Sequence, residues 1–221
     1  LTGELLVLAG QPDDKVIAIE IDPVLVHYLQ QKFAEHITTG KLTLIEGDIL
    51  KTDVGALAAR PVIAGNLPYY ITSPILEKVF SLRGAWERAV FLVQAEVAAR
   101  LAAVSGTRDF GYLSVLAQVQ ARVEHLFDVP RDAFKPPPKV DSAVVRLTPR
   151  PMEVADLGDF LHFAQLCFRH KRKTLRNNLA PAYGKDLIDG LAEARLRAEQ
   201  MSVADLIELH EKLSGHAENR R

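Results

Sequence analysis

Four short apolar runs, rich in β-branched residues, alternate with helical patterns through the N-terminal half, and each closes on a polar side chain. Val16-Ile17-Ala18-Ile19 ends on Glu20. Leu42-Thr43-Leu44-Ile45-Glu46 leads into Gly47-Asp48, Val62-Ile63-Ala64 into Gly65-Asn66, and Ala89-Val90-Phe91-Leu92-Val93 into Gln94. Runs of this length and character read as buried strands. Between them, Leu25, Leu29, Lys32 and Phe33 predict a helix over 23–35, with Pro23 suited to its first turn. Ile75, Leu76, Val79 and Phe80 predict a second helix, with Ser73 as its N-cap and Pro74 next. Val97, Ala98, Leu101 and Ala102 predict a third. Strand and helix in alternation mean an α/β fold: a parallel sheet with helices on both faces. Ligands of such sheets bind beyond the carboxyl ends of the strands, where Glu20, Asp48, Asn66 and Gln94 fall.

Further on, "ARVEHLFDV" and "SAVVRLTP" predict a closing antiparallel pair joined by the Pro-rich "FKPPPK". From about residue 153 the pattern is helical only. Leu157, Phe160, Leu161, Ala164 and Phe168 share one face, and Ser202 is placed to cap a last helix carrying Leu206, Ile207, Leu209 and Leu213. Arg150-Pro151 is the expected boundary, giving an α/β domain over 1–150 and a small helical domain over 151–221.

With 48% hydrophobic and 25% charged residues, the 221-residue chain has globular composition. Its single cysteine, Cys167, excludes an internal disulfide and suits a reducing, cytoplasmic compartment. No apolar run is long enough for a membrane span, and the seven histidines form no ligand pattern for a metal. Net charge is −1, yet "FRHKRKTLRNNL", residues 168–179, holds five cations and no acid. Arg169, Lys171, Arg172, Lys173 and Arg176 are therefore candidates for phosphate contacts. A solvated helix end whose cations complement the helix dipole is the plainer reading.

The stretch "GNLPYYITSPIL" has its own chemistry. Pro68 lacks an N–H and biases Leu67 toward extended backbone, so the Leu67 carbonyl escapes helical bonding and sits beside the Asn66 amide oxygen. Two neighbouring acceptors suit an NH₂ group, and Tyr69 adds a flat face for a planar partner. A conjugated amine is a poor nucleophile; drawing its hydrogens out of the ring plane directs a lone pair at an electrophile held in line. The plainer alternative is a Pro-terminated strand whose Asn caps a turn and whose Tyr rings pack in the core.

Taken with "FKPPPKVDSAVV" and "KRKTLRNNL", the motif resembles the bacterial small-subunit (16S) ribosomal RNA adenine N6,N6-dimethyltransferase family, over nearly the whole chain. The resemblance implies a Rossmann-like sheet with a small C-terminal helical domain, S-adenosylmethionine as cofactor, and methyl transfer to two adjacent adenosines near the 3′ end of 16S rRNA. It implies a monomer acting on the small subunit or its precursor. It assigns Glu20, with Ile21 beside it, to the cofactor ribose, and Asp48 to the cofactor adenine amine, with Gly47 and Ile49 alongside. Asn66 serves both cofactor and target. Asn66, Leu67 and Pro68 form the amine clamp, Tyr69 stacks on the target base and Phe134 covers its other face. Lys135 and Lys139 flank the Pro run, and the basic cluster docks RNA. The family's Gly-rich loop is expected just before Leu1, so "LTGELLVLAG" matches the helix after it and the chain from Leu1 is expected to bind cofactor weakly. Amide-clamp enzymes acting on glutamine, DNA adenine or large-subunit RNA, and an RNA-docked assembly factor without catalysis, are the alternatives.

Overall fold

The computed structural model describes residues 1–11, 13–150 and 154–218. The chain divides into two compact units, 1–91 and 92–221.

The first unit begins with α1 (Thr2–Leu8), β1 (Val16–Glu20), α2 (Pro23–Lys32), α3 (Ala34–Thr38) and β2 (Leu42–Glu46). It continues through α4 (Val54–Leu57), β3 (Val62–Asn66), α5 (Thr72–Phe80) and the first residues of β4 (Arg88–Gln94). β1 and β2 pair in parallel with Val16 opposite Leu42 and Glu20 opposite Glu46. β3 lies beside β4 in a separate sheet. β1 and β3 each keep one edge without a strand partner among the described residues.

Asp22 caps α2 by accepting from the Val24 N–H at 2.8 Å, with Pro23 at the first helical position. The single helix expected over 23–35 is broken at Phe33, whose backbone leaves the helical region at φ −117°, ψ 27°. The Phe33 ring lies against α1, where a Cβ on Gly3 would stand 3.4 Å from it. Packing, not propensity, sets that break. α5 also differs from expectation. It starts at Thr72 after a 3₁₀ turn over Tyr69–Ile71, so Ser73 lies inside the helix and caps nothing.

The second unit holds the end of β4, then α6 (Ala95–Ala102), α7 (Tyr112–Gln118), β5 (Ala121–Val129) and β6 (Ser142–Pro149). Four helices follow: α8 (Leu157–Phe168), α9 (Leu175–Tyr183), α10 (Lys185–Asp189) and α11 (Val203–Glu218). β6 lies between β4 and β5, and β5 and β6 are antiparallel as the sequence predicts, with a register shift between His125 and Phe127. Glu124 and Arg146 face each other across that pair and make two 2.9 Å bonds.

The helical segment is built around Phe160, Phe163, Leu179, Leu206 and Leu209, and Phe110, Val115 and Val119 share its core. Ser202 caps α11 reciprocally. Its hydroxyl accepts from the Asp205 N–H at 3.1 Å and its own N–H donates to the Asp205 carboxylate at 2.8 Å. The boundary expected at Arg150-Pro151 falls on 151–153, outside the described residues. No helix among the described residues is long and apolar enough to cross a membrane.

Candidate functional site

The parallel pairing of β1 and β2 brings Glu20 and the Gly47-Asp48 turn to one rim. The Gly47 N–H donates to the Glu20 carbonyl at 2.9 Å, carrying the ladder one residue past β2. Both acids are half-buried and both are held by the same local device. One Glu20 oxygen accepts from the Asp22 N–H, and one Asp48 oxygen accepts from the Leu50 N–H, each at 2.9 Å. The second oxygen of each accepts nothing among the described residues. A carboxylate with one oxygen anchored and one unengaged is preorganised to accept from a ligand hydroxyl or amine. That donor-acceptor match fits the ribose and adenine of the expected cofactor. Ile49 is half-buried beside Asp48, while Ile21 is 65% exposed.

Asn66 ends β3 with its side chain exposed and without a hydrogen bond among the described residues. The bonds that start the following turn go to the Pro68 carbonyl, which accepts from the Ile71 N–H and the Thr72 hydroxyl, both at 3.1 Å. The Leu67 carbonyl stays outside that turn. The Leu67 side chain is buried and anchors the segment. Gly65 gives this anchor room: a Cβ there would stand 3.0 Å from Leu67 Cδ2, so the Leu67 side chain would have to shift by a few tenths of an ångström. Tyr69 is half-buried, and Tyr70 is 86% exposed. Asn66 therefore does not cap a turn and Tyr70 does not fill a core, as the plainer reading of this stretch required. The stretch leaves the Asn66 side chain and the Leu67 carbonyl outside the turn that precedes α5, with Tyr69 two residues after Leu67.

Phe134 and the basic cluster belong to the second unit. Phe134 is half-buried and extended, at φ −107°, ψ 151°, after the 3₁₀ turn Arg131–Ala133. It precedes a cis Lys135–Pro136 bond, and Lys135 and Lys139 are both exposed. The Arg131 N–H donates to the Asp141 carboxylate at 3.0 Å and closes this loop at its base.

Arg169, Lys171, Arg172 and Lys173 lie exposed in the turn between α8 and α9. Their environments differ. Arg169, Arg172 and Lys173 have no side-chain partner among the described residues. Lys171 Nζ donates to the Arg108 carbonyl. Arg176 is held by a bidentate pair with Asp189, one arm of it 3.0 Å. The Arg176 hydrogen bond is the main cause that holds the Asp189 carboxyl below its usual range. Cys167 is buried, and burial pushes its thiol up, away from the reactive thiolate.

Three supporting residues escape a reading of the sequence. Asp22 orients Glu20, and the Asp-Pro cap signature at 22–23 is the one available signal. Thr72 pins the turn after Pro68. Asn178, 4% exposed, donates from its side chain to the carbonyls of Cys167 (2.7 Å) and His170 (3.3 Å), fixing the chain where it enters the basic turn. Nothing in "LRNNL" distinguishes that buried amide from the exposed Asn177.

A model of the ribosomal RNA adenine dimethylase family matches residues 1–213. The chain is 44% identical to the ribosomal RNA small subunit methyltransferase A of Acidobacterium capsulatum, covering 94% of this chain and 76% of that protein. It is 37% identical to the protein of the same name from Chlorobium chlorochromatii, covering 95% and 87%. Among solved structures, a dimethyladenosine transferase from Plasmodium falciparum superposes with a TM-score of 0.79 at 25% identity, over 96% of this chain and 88% of that one. The 23S rRNA methyltransferase ErmE gives 0.63 at 25% identity, over 89% and 82%.

Proposed function

The chain belongs to the ribosomal RNA adenine dimethylase family, and on that basis we propose that it dimethylates the N6 amines of two adjacent adenosines near the 3′ end of 16S rRNA, within the small subunit or its precursor. The cofactor is S-adenosylmethionine, which supplies a methyl group on a sulfonium sulfur. The observation that carries the reading is the exposed Asn66 side chain at the end of β3, unbonded among the described residues, followed by the Leu67 carbonyl that the turn bonds to the Pro68 carbonyl leave out.

Glu20 would hold the cofactor's ribose hydroxyls and Asp48 its adenine amine, each with the oxygen that the backbone leaves unengaged. The Asn66 side chain and the Leu67 carbonyl accept the two hydrogens of the target N6. Hydrogen bonds that draw both N–H groups out of the ring plane favour a tetrahedral nitrogen over the planar, conjugated one, so the interaction strengthens toward the transition state. With the nitrogen so held, its lone pair would be directed at the methyl group that the bound cofactor would supply. The methylated nitrogen then loses one proton to water; no side chain is needed as base. Tyr69 holds the base by stacking. The helical segment from residue 151 onward serves RNA docking through Arg169, Arg172 and Lys173.

The test is methyl transfer by the full-length protein to small subunits isolated from cells lacking this modification, with radiolabelled S-adenosylmethionine and primer extension to map the product. Label at two adjacent adenosines near the 3′ end supports the proposal. Label confined to other positions of the small-subunit RNA, or no label, overturns it.

A further inference from the structure

The loop joining α6 to α7, residues 103–111, is pinned to the helical segment at three points. The Gly106 N–H donates to the Glu199 carbonyl at 2.6 Å. Lys171 Nζ donates to the Arg108 carbonyl. Phe110 is buried, with its ring edge-on to Phe168 at a centroid distance of 5.9 Å. Inside the loop, the Thr107 hydroxyl donates to the Val104 carbonyl at 2.7 Å, and the Gly111 N–H donates to Ser114 Oγ at 3.0 Å. The loop is therefore fixed against the basic turn rather than free above it.

This arrangement adds a cation that the sequence run does not contain. Arg108 is exposed and its guanidinium has no partner among the described residues. Because Lys171 reaches the Arg108 carbonyl, the Arg108 Cα lies within about 5 Å of that ammonium. The Arg108 backbone thus lies against the turn that carries Arg169, Arg172 and Lys173, although the two segments are 61 or more positions apart in sequence. The acids beside it do not cancel it. Asp109 is a single exposed carboxylate, and Glu199 sits 3.8 Å from Arg197.

Resting on the RNA reading above, we propose that Arg108 is a phosphate-binding residue of this composite surface, and that Lys171 is a positioning residue which holds the Arg108 loop in place. The ligand chemistry is the phosphate backbone of RNA rather than its bases. Phe110 and Phe168 are turned toward the core, and His170 is the one exposed ring in the turn, so stacking platforms are scarce. Guanidinium groups presented by two rigid segments can meet phosphates on a surface rather than along a line, which suits folded RNA.

The experiment measures binding of a fluorescein-labelled 16S rRNA transcript to the full-length protein across a series of salt concentrations. Each lost phosphate contact flattens the log–log salt slope by about 0.7 to 0.9. Arg108→Gln should flatten it by that amount, as Arg172→Gln does. Arg122→Gln, on β5 and outside this surface, should leave it unchanged. A flattened slope for Arg172→Gln with an unaltered one for Arg108→Gln overturns the inference and leaves the RNA reading standing. Unaltered slopes for both remove the RNA-docking reading of the whole surface. Lys171 is tested separately by hydrogen exchange. Lys171→Met should speed exchange at the amides of 106–110, Lys171→Arg should restore protection, and Arg172→Met should have no effect. Equal protection in Lys171→Met and wild type overturns the positioning role.

Discussion

Replacing Asn178 by Ala tests whether one buried amide organises the basic turn. The side chain gives two bonds, 2.7 Å to the Cys167 carbonyl and 3.3 Å to the His170 carbonyl, and the second is long enough to be weak. Each ordinary bond contributes about 0.5–1.5 kcal/mol net, and a carbonyl left buried without a partner costs about 1–3 kcal/mol. Against this, Asn178 Oδ1 is itself buried without a partner, and removing it returns about 1 kcal/mol. The balance is a loss of about 2 kcal/mol, or about 4–8 °C in Tm for a chain of this size. Asn178→Asp sharpens the test because the shape is kept and the donor is lost. A carboxylate facing two carbonyls must take up a proton to donate, so its folded pKa rises above the ordinary value near 3.9. The folded state then binds more protons than the unfolded one, and stability falls as pH rises through that window. Thermal melts of wild type and both variants from pH 5 to 8 give the answer. The Ala deficit should be constant with pH, and the Asp deficit should equal or exceed it and grow toward neutrality. A Tm change below 1 °C for Ala, or a pH-independent Asp deficit, would refute the reasoning.

Gly65→Ala forces Leu67 Cδ2 away from the new Cβ; overpacking of this kind costs about 1–3 kcal/mol. In the full-length protein its kcat should drop about tenfold or more because the clamp is displaced, and a normal kcat would separate Gly65 from the clamp. Tyr69→Phe should be mild and Tyr69→Ala severe in kcat/KM, since stacking needs the ring; equal damage from both would end the stacking role. Asp189→Asn frees Arg176 and should steepen the salt dependence of RNA binding by about 0.7 to 0.9, a change read in the same titrations. Because Asp189 is held below its ordinary value, the pair stabilises the fold above the usual carboxylate range and loses that contribution as pH falls through the lowered value; acid-side melts of Asp189→Asn should therefore show a smaller drop than wild type.

The sequence made the elements legible where burial alone decides them. The β1, β2 and β4 runs and the β5–β6 pair are apolar or alternating stretches between breakers, and their limits fall where the residue pattern changes. It misjudged what tertiary contacts decide. Phe33 carries helical spacing but packs against Gly3, and Ser73 has cap chemistry but α5 already begins at Thr72, directly after the 3₁₀ turn closed on the Pro68 carbonyl. The acids Glu20 and Asp48 were visible as strand-end polar residues. Their anchoring by the N–H groups of Asp22 and Leu50 was not, because it depends on backbone turns that composition does not encode. The basic run was plain, yet its five members are unequal: Arg176 is engaged by Asp189, Lys171 by a carbonyl 63 positions away. Arg108 joins that surface only through folding.

Asn66 and the Leu67 carbonyl are proposed to act on an adenine amine of ribosomal RNA. The most direct measurement of that role is mass spectrometry of N6,N6-dimethyladenosine in 16S rRNA, over time, after unmodified small subunits are incubated with S-adenosylmethionine and full-length wild-type or Asn66→Ala protein. Wild type should yield dimethyladenosine, and Asn66→Ala should yield it at a rate about 10²-fold lower, with RNA binding unchanged. Equal rates for the two proteins, or no dimethyladenosine with wild type, would contradict that role.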